Sequence, residues 1–102
     1  MTRKLELLDD ALHEAEDAAR WYAERSPTAA AGFADELEGA ILAIEGAPAL
    51  WPRHDFGTRR YLLRRFPYSV VYKVERTRIV IIAVAHGHRR PGYWQGRLIA
   101  PG

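Results

Sequence analysis

Cysteine is missing from this sequence of 102 residues. Its absence excludes disulfide frameworks and thiolate metal sites, and it is compatible with a reducing compartment. Long apolar runs are missing too, since no stretch reaches the ~18 consecutive apolar residues of a membrane-spanning helix. The N-terminal segment meets Glu6, Asp9 and Asp10 before any long apolar run, which is not the pattern of a signal peptide. We therefore expect a cytoplasmic protein without a membrane partner.

Acidic residues are scarce in the second half of the chain. Residues 51–102 hold 2 Asp/Glu and 11 Lys/Arg, whereas residues 1–50 hold 11 Asp/Glu and 4 Lys/Arg. The overall charge of +2 therefore divides into −7 and +9. Such a division favours a basic half that faces a polyanion or an acidic protein. The alternative is that both halves are solvated and partly neutralise each other.

The length of the chain allows one hydrophobic core and no second one. A chain of this size buries roughly two thirds of the surface that it exposes when unfolded. Hydrophobic residues make up 48 % of the sequence, and three Trp and five Tyr add bulk, so the composition is not that of a disordered chain. We predict a single domain over residues 1–102.

The first half of the chain has the apolar spacing of two helices that follow a short strand. Residues 3–8 alternate as a strand does, and Asp9 and Asp10 are predicted to cap a helix over residues 11–25. A second helix is predicted over residues 27–45, joined to the first by about two or three residues. The two amphipathic helices are expected to form an antiparallel hairpin against one face of a sheet.

The second half has the composition of a sheet. Residues 46–58 are predicted to be an irregular loop, and three strands follow between residues 59 and 86. Residues 70–74 and 79–84 are apolar on both faces, with a turn of two to four residues between them, so these strands are expected to be central. Three alternatives remain for the face of the sheet opposite the helices: it is covered by the C-terminal tail, it is covered by a second chain, or it is not covered. The predicted class is α+β: an N-terminal strand, a helical hairpin on a twisted, mainly antiparallel sheet, and a short tail.

One group of residues suggests acid–base chemistry. Arginine holds phosphate through two parallel hydrogen bonds, and a histidine near neutral pKa can move a proton. Together these groups suit metal-free RNA cleavage by a 2′-hydroxyl. The candidate catalytic residues are Arg64, Arg65, His86, Arg89 and Tyr93, with Arg60 nearby. The alternative is that His86 and Arg89 only end a strand and face water.

Metal and cofactor sites are not predicted. His86 and His88 alternate, so on a strand their side chains would point to opposite faces, and His54 is distant in sequence. A tetrahedral site needs three or four protein ligands. The glycines Gly87 and Gly92 match no phosphate-binding loop.

A second group of residues suggests a binding surface. Aromatic side chains beside arginine are favoured at interface hot spots and for stacking on bases. The candidate partner-binding residues are Arg60, Arg89, Arg90, Tyr93, Trp94 and Arg97. Trp94 has an alternative role, which is to fold back and fill the open face of the sheet.

The order of these features resembles the RelE/ParE superfamily of toxins from type II toxin–antitoxin systems, and the ParE-like branch in particular. The residues that carry the resemblance are, in order, Trp21-Tyr22, Phe33, Leu37, Ile41, Ile44, Pro48, Arg59, Arg60, Phe66-Pro67-Tyr68, Tyr72, Ile79–Val84, His86, Arg89, Pro91, Tyr93, Trp94 and Arg97. The resemblance implies growth inhibition, plasmid stabilization and a cognate antitoxin that is encoded by the adjacent gene and forms a hetero-oligomer with the toxin. An acidic antitoxin segment would suit the half of net charge +9.

The superfamily divides by target, because RelE-like members cut mRNA in the ribosome and ParE-like members bind DNA gyrase. Ser69 stands where RelE-like relatives have a basic residue, although Arg89 matches a functional arginine of those relatives. The expected function is therefore gyrase binding by a ParE-like toxin. The alternatives are a ribosome-dependent mRNA endonuclease that uses the candidate catalytic residues, and an antitoxin-binding module without toxicity.

Overall fold

The computed structural model describes residues 3–99, so the predicted domain range of 1–102 extends past the described residues at both ends. Two helices and five strands follow one another as β1 Lys4–Leu7, α1 Asp9–Arg25, α2 Pro27–Gly46, β2 Arg53–His54, β3 Thr58–Leu62, β4 Tyr68–Val74 and β5 Arg78–His86. Short 3-10 turns span Asp55–Gly57 and Gln95–Leu98. The strands form one sheet in the order β1-β5-β4-β3-β2, in which only the β1–β5 pair is parallel. This arrangement confirms the predicted α+β class.

The helical hairpin is tighter than the sequence predicted. One residue, Ser26, separates α1 from α2, rather than two or three. Its hydroxyl accepts a hydrogen bond from the backbone N–H of Ala29 at 3.2 Å, and Pro27 occupies the first turn of α2. At the start of α1 the cap is Leu8, without a side-chain hydrogen bond, so the predicted capping by Asp9 and Asp10 was wrong. Those carboxylates lie in the first turn, where they favour the helix dipole.

The main core lies between the hairpin and one face of the sheet. Ala11 and Ala18 of α1 are buried, as are Phe33 and Ile44 of α2. The strands contribute the side chains of Val70, Tyr72, Ile79, Ile81 and Val84. The small alanines on α1 let the helix approach the central strands closely. Among residues 3–99, no helix is long and apolar enough to cross a membrane.

The opposite face of the sheet is covered by residues 87–99, which follow β5 and which we call the tail. This position decides between the three alternatives for that face. Trp94 is 2 % exposed and packs in a cluster with Val71, Val80, Ile82, Ala83 and Ala85. Leu98 and Tyr93 pack against the same cluster. The tail thus acts as a third layer.

A β-bulge in β5 interrupts the strict alternation of its side chains between the two faces of the sheet, which the sequence had suggested. Val71 pairs with Ala83 and Tyr72 pairs with Ile81, so Ile82 has no partner in β4. Because the bulge adds one residue, Ile82 and Ala83 both belong to the tail-side cluster, and Val84 returns to the helix side. The loop predicted over residues 46–58 also differs, because it contains the short strand β2. The β4–β5 connection is the three residues 75–77, within the predicted range.

We expect Trp94→Ala to destabilise the protein by about 3–5 kcal/mol, because it removes a buried indole and leaves a cavity against the sheet. Denaturant unfolding followed by far-UV circular dichroism measures the change. Trp21→Ala is the matched control, since Trp21 is 48 % exposed. We expect this control to lose less than about 1 kcal/mol, because surface substitutions have small effects. Equal losses in the two variants would contradict the buried position of Trp94.

Candidate functional site

A cleft of about 470 Å³ opens between α1 and the adjoining ends of β4 and β5. We call it the α1 cleft. Its walls combine aromatic, basic and acidic side chains, and they are formed by Glu14, Asp17, Ala18, Trp21, Tyr22, Pro67, Tyr68, Val84, His86, Arg89 and Tyr93. Three of the five predicted catalytic residues therefore share one cleft.

The carboxylate of Glu14 holds the tail against α1 and β5. It accepts hydrogen bonds from the Tyr93 hydroxyl at 2.6 Å, from the Val84 backbone N–H at 3.0 Å, and from Arg97 Nη1 and Nη2 at 2.9 and 3.0 Å. Arg97 also donates to the carbonyl of Ile82 at 3.1 Å and lies 3.5 Å from the carboxylate of Asp10. Paired, charge-assisted hydrogen bonds of this kind fix both distance and orientation.

The electrostatics of this network keep Tyr93 protonated and Arg97 charged. Burial, followed by the hydrogen bond to Glu14, raises the pKa of the Tyr93 hydroxyl well above its ordinary value. The hydrogen bonds to Glu14 raise the pKa of Arg97. Because the hydroxyl of Tyr93 already donates to a carboxylate, it is poorly suited to exchange a proton near neutral pH.

His86 and Arg89 lie at the mouth of the α1 cleft. Nδ1 of His86 accepts a hydrogen bond from the His88 backbone N–H at 3.0 Å, so the neutral ring carries its proton on Nε2. The His86 ring meets the Tyr68 ring edge-on at 4.9 Å. The guanidinium carbon of Arg89 lies 3.9 Å from the centroid of the Tyr93 ring, while the residue remains exposed. Burial raises the pKa of Tyr68, so its hydroxyl also stays protonated.

Arg64 and Arg65 do not line the α1 cleft. Glu36 of α2 accepts hydrogen bonds from the backbone N–H groups of both residues and from Arg65 Nε at 3.1 Å. Burial alone would raise the pKa of the Glu36 carboxyl, but these hydrogen bonds lower it overall. The five predicted catalytic residues therefore lie in two places. Three of them are at the end of β5 and in the tail, whereas Arg64 and Arg65 are in the loop between β3 and β4.

The predicted partner-binding residues are also divided. Arg89 and Arg90 are exposed beyond β5, whereas Tyr93 and Arg97 belong to the Glu14 network and Trp94 is buried. Arg60 lies on β3, in a separate groove of about 340 Å³ that we call the arginine groove. Its lining residues are Trp51, Pro52, Arg53, Arg60, Tyr61, Leu62 and Arg64.

Sequence reasoning missed Glu14, although a signal was present. Ala11 and Ala18 mark the buried stripe of α1, and Glu14 falls between them at helical spacing, which is where a carboxylate needs a partner.

The structure offers no metal site among the described residues, because no group of three or more His, Cys, Asp or Glu within residues 3–99 is arranged to hold an ion. His54 packs against Trp94, with ring centroids 5.7 Å apart, and does not line the α1 cleft.

A helical hairpin on a mainly antiparallel sheet is the fold that the resemblance to the RelE/ParE superfamily implied. The family model described as "ParE toxin of type II toxin-antitoxin system, parDE" matches residues 5–91. The chain therefore belongs to the ParE toxin family, as its sequence pattern indicated.

A solved structure has the same fold. It is described as "Chromosomal ParDE TA system from P. aeruginosa", and the match has a TM-score of 0.73 at 18 % sequence identity. The match covers 83 % of this chain and 96 % of the other. At this identity the likeness concerns the fold alone. A comparison with curated protein sequences finds no significant match.

We expect Glu14→Gln to lower the free energy of unfolding by about 2–3 kcal/mol, because the neutral amide removes the closer and more buried of the two ion pairs of Arg97. Chemical denaturation near neutral pH measures this loss. Asp17→Asn is the control: it neutralises a carboxylate of the same helix whose partner Arg20, at 2.6 Å, is exposed. Its expected effect is below about 1 kcal/mol. A control as damaging as Glu14→Gln would refute the anchoring role.

Proposed function

We propose that this protein is a cytoplasmic toxin that inhibits growth by binding DNA gyrase and is neutralised by an antitoxin encoded by the adjacent gene. The observation that carries the proposal is the match of the ParE toxin family over residues 5–91. The toxin acts as one domain, needs no cofactor and forms a hetero-oligomer with its antitoxin. The solved relative, described as part of a ParDE toxin–antitoxin system, supports the pairing with an antitoxin.

Support for binding rather than RNA cleavage comes from the side chains that cleavage would need. Arg65 is tied to Glu36, and the Tyr93 hydroxyl donates to Glu14. Ser69, on β4, cannot supply the positive charge that a scissile phosphate requires. A cleavage site would need the side chains of Arg65 and Tyr93 to be free to approach one phosphate, and it would need a positive charge at position 69.

The proposed target-binding surface is the rim of the α1 cleft together with Arg90, the residue that follows the cleft-lining Arg89. Arg89 and Arg90 are exposed and have no carboxylate within 4 Å among the described residues. Trp21, on the opposite wall of the cleft, exposes 48 % of its surface. Exposed tryptophan and arginine are the side chains that most often dominate the free energy of protein association.

We expect the double variant Arg89→Glu with Arg90→Glu to lose growth arrest and to inhibit purified gyrase at least about tenfold less, equivalent to about 1.4 kcal/mol of binding free energy. The measurements are colony counts after induction and a supercoiling assay. Arg76→Glu is the matched control, because Arg76 is exposed in the β4–β5 turn, away from the cleft. Full inhibition by the double variant would place the target surface elsewhere.

A second candidate function, ribosome-dependent mRNA cleavage, is favoured by one observation. His86, Tyr68 and Arg89 share the α1 cleft, and Nε2 of His86 is not engaged by a described protein group. Such an arrangement can hold a phosphate and move a proton.

We expect induced cells to contain intact mRNA alongside DNA double-strand breaks. Mapping of mRNA 5′ ends and pulsed-field electrophoresis provide the two measurements. Codon-linked cuts that disappear in His86→Gln would instead establish the second candidate function. Absence of growth arrest, together with retained antitoxin binding, would identify a binding module without toxicity.

A further inference from the structure

The α1 cleft carries hydrogen-bond donors on one wall and carboxylates on the opposite wall. Its volume of about 470 Å³ lies within the range of about 300–1,000 Å³ that is usual for small-ligand pockets. Of its described lining residues, Arg89 is the only arginine, whereas Glu14 and Asp17 place two carboxylates on the α1 wall. A groove that follows a nucleic-acid strand needs a row of positive charges instead. The charges of the cleft therefore fit a small ligand with a single anionic group.

The donors on the first wall are His86 and Arg89. The Arg89 backbone N–H donates to the carbonyl of His86 at 3.0 Å, so one turn holds the two residues near each other. The Arg89 guanidinium stacks on the Tyr93 ring at 3.9 Å and has no carboxylate within 4 Å among residues 3–99. Nε2 of neutral His86 carries a proton that no described protein group accepts. Two donors without acceptors in one turn fit the oxygens of a phosphate group.

Trp21, on the opposite wall, keeps part of its indole open. The guanidinium carbon of Arg25 lies 3.6 Å from the indole centroid, and the ring of Tyr22 meets the indole edge-on at 5.0 Å. Trp21 nevertheless exposes 48 % of its surface and lines the cleft. An arginine on one face of an indole leaves the other face for a planar ring, and nucleobases stack on aromatic side chains in this way. This wall therefore fits a nucleobase.

Asp17 distinguishes between the bases. It stands four residues before Trp21 on α1, so the two side chains are neighbours on the helix surface. Oδ1 of Asp17 accepts a hydrogen bond from Arg20 at 2.6 Å, and Oδ2 has no donor in the described part of the chain. Guanine presents two adjacent N–H donors on its Watson–Crick edge, whereas adenine presents one. Because a carboxylate accepts paired donors, guanine is the base that this position prefers.

We propose that the α1 cleft binds a guanosine 5′-phosphate. The guanine stacks on Trp21 and donates its two N–H groups to Asp17. The phosphate accepts hydrogen bonds from His86 and Arg89. A longer strand is disfavoured, because further phosphates near the α1 wall would meet the carboxylates that line it. Binding of the nucleotide does not depend on the proposed gyrase target, although both use the rim of this cleft.

Isothermal titration calorimetry with the full-length protein tests the cleft directly. The titrants are GMP, AMP, guanosine, inorganic phosphate and an RNA pentamer with one central guanosine. We expect GMP to bind with a Kd on the order of 10–100 μM, as a ligand of this size in an open cleft does. AMP, guanosine and phosphate should each bind at least about tenfold more weakly, because each lacks one of the contacts. The pentamer should also bind more weakly than GMP.

Variants assign each contact. Arg89→Ala should weaken binding of GMP at least about tenfold and change binding of guanosine less than about twofold, because only the phosphate contact is lost. Asp17→Asn should reduce the preference for GMP over AMP to less than about twofold, and Trp21→Ala should weaken both nucleotides alike. Arg76→Ala is the control for the lost arginine, since Arg76 is exposed in the β4–β5 turn. Circular dichroism confirms that the variants fold.

Four results would overturn the proposal. One is the absence of GMP binding at about 1 mM. Inorganic phosphate or AMP that binds as tightly as GMP would show that the cleft does not recognise guanine. GMP binding that survives both Trp21→Ala and Arg89→Ala would place the nucleotide elsewhere. An RNA pentamer that binds more tightly than GMP, and is lost in Arg89→Ala, would replace the nucleotide by a strand.

A supercoiling assay separates nucleotide binding from the proposed function. Trp21 and Arg89 belong to the proposed target-binding surface as well, so saturating GMP should relieve inhibition of gyrase. This consequence rests on the proposed function. A protein that never inhibits gyrase would refute the proposed target, while calorimetry would still decide whether the cleft binds GMP. Inhibition that persists at saturating GMP would refute the shared use of the cleft.

Discussion

The rest of this structure depends on the hydrogen bonds that the carboxylate of Glu14 accepts from β5 and from the tail. This carboxylate is a part-buried charge on a helix, and such a charge is tolerated only when donors surround it. Four donors do so, one from β5 and three from the tail. With the tail held in this way, Trp94 covers the outer face of the two central strands, and Tyr93 forms one wall of the α1 cleft. The hydrogen bonds to Glu14 therefore position both the outer layer of the core and one wall of the candidate site.

Charge is distributed in two ways at once. Part of the acidic half neutralises part of the basic half, through the ion pairs Arg97–Glu14, Arg65–Glu36 and Arg78–Glu6. The arginines at the two open surfaces have no such partner among the described residues. The predicted partial neutralisation between the two halves is therefore seen, and guanidinium groups without a carboxylate partner remain at the groove and at the cleft rim. That the basic half faces an anionic partner stays a prediction.

The sequence predicted what depends on local periodicity and missed what depends on contacts distant in sequence. Helix spacing identified α1 and α2, and the β-branched runs identified β4 and β5. The bulge at Ile82 escaped notice because an apolar run looks the same with or without an extra residue. Arg64 and Arg65 were grouped with His86 by chemistry alone, whereas their position follows from contact with Glu36. A tail rich in aromatic residues and arginine can form either a layer of the core or a binding interface. Its composition is the same in both cases, so only the fold distinguishes the two roles.

The parallel pairing of the first strand with the last has a consequence for biosynthesis. Residue 4 pairs with residue 78, so the sheet lacks an edge strand until most of the chain has left the ribosome. Contacts between such distant residues also form slowly, because a long loop must close first. The sheet therefore stays unfinished until β5 has been synthesised, and the outer layer stays unfinished until the tail that follows β5 has been synthesised. In this ParE-family protein, synthesis of the first four strands and both helices thus precedes the complete fold.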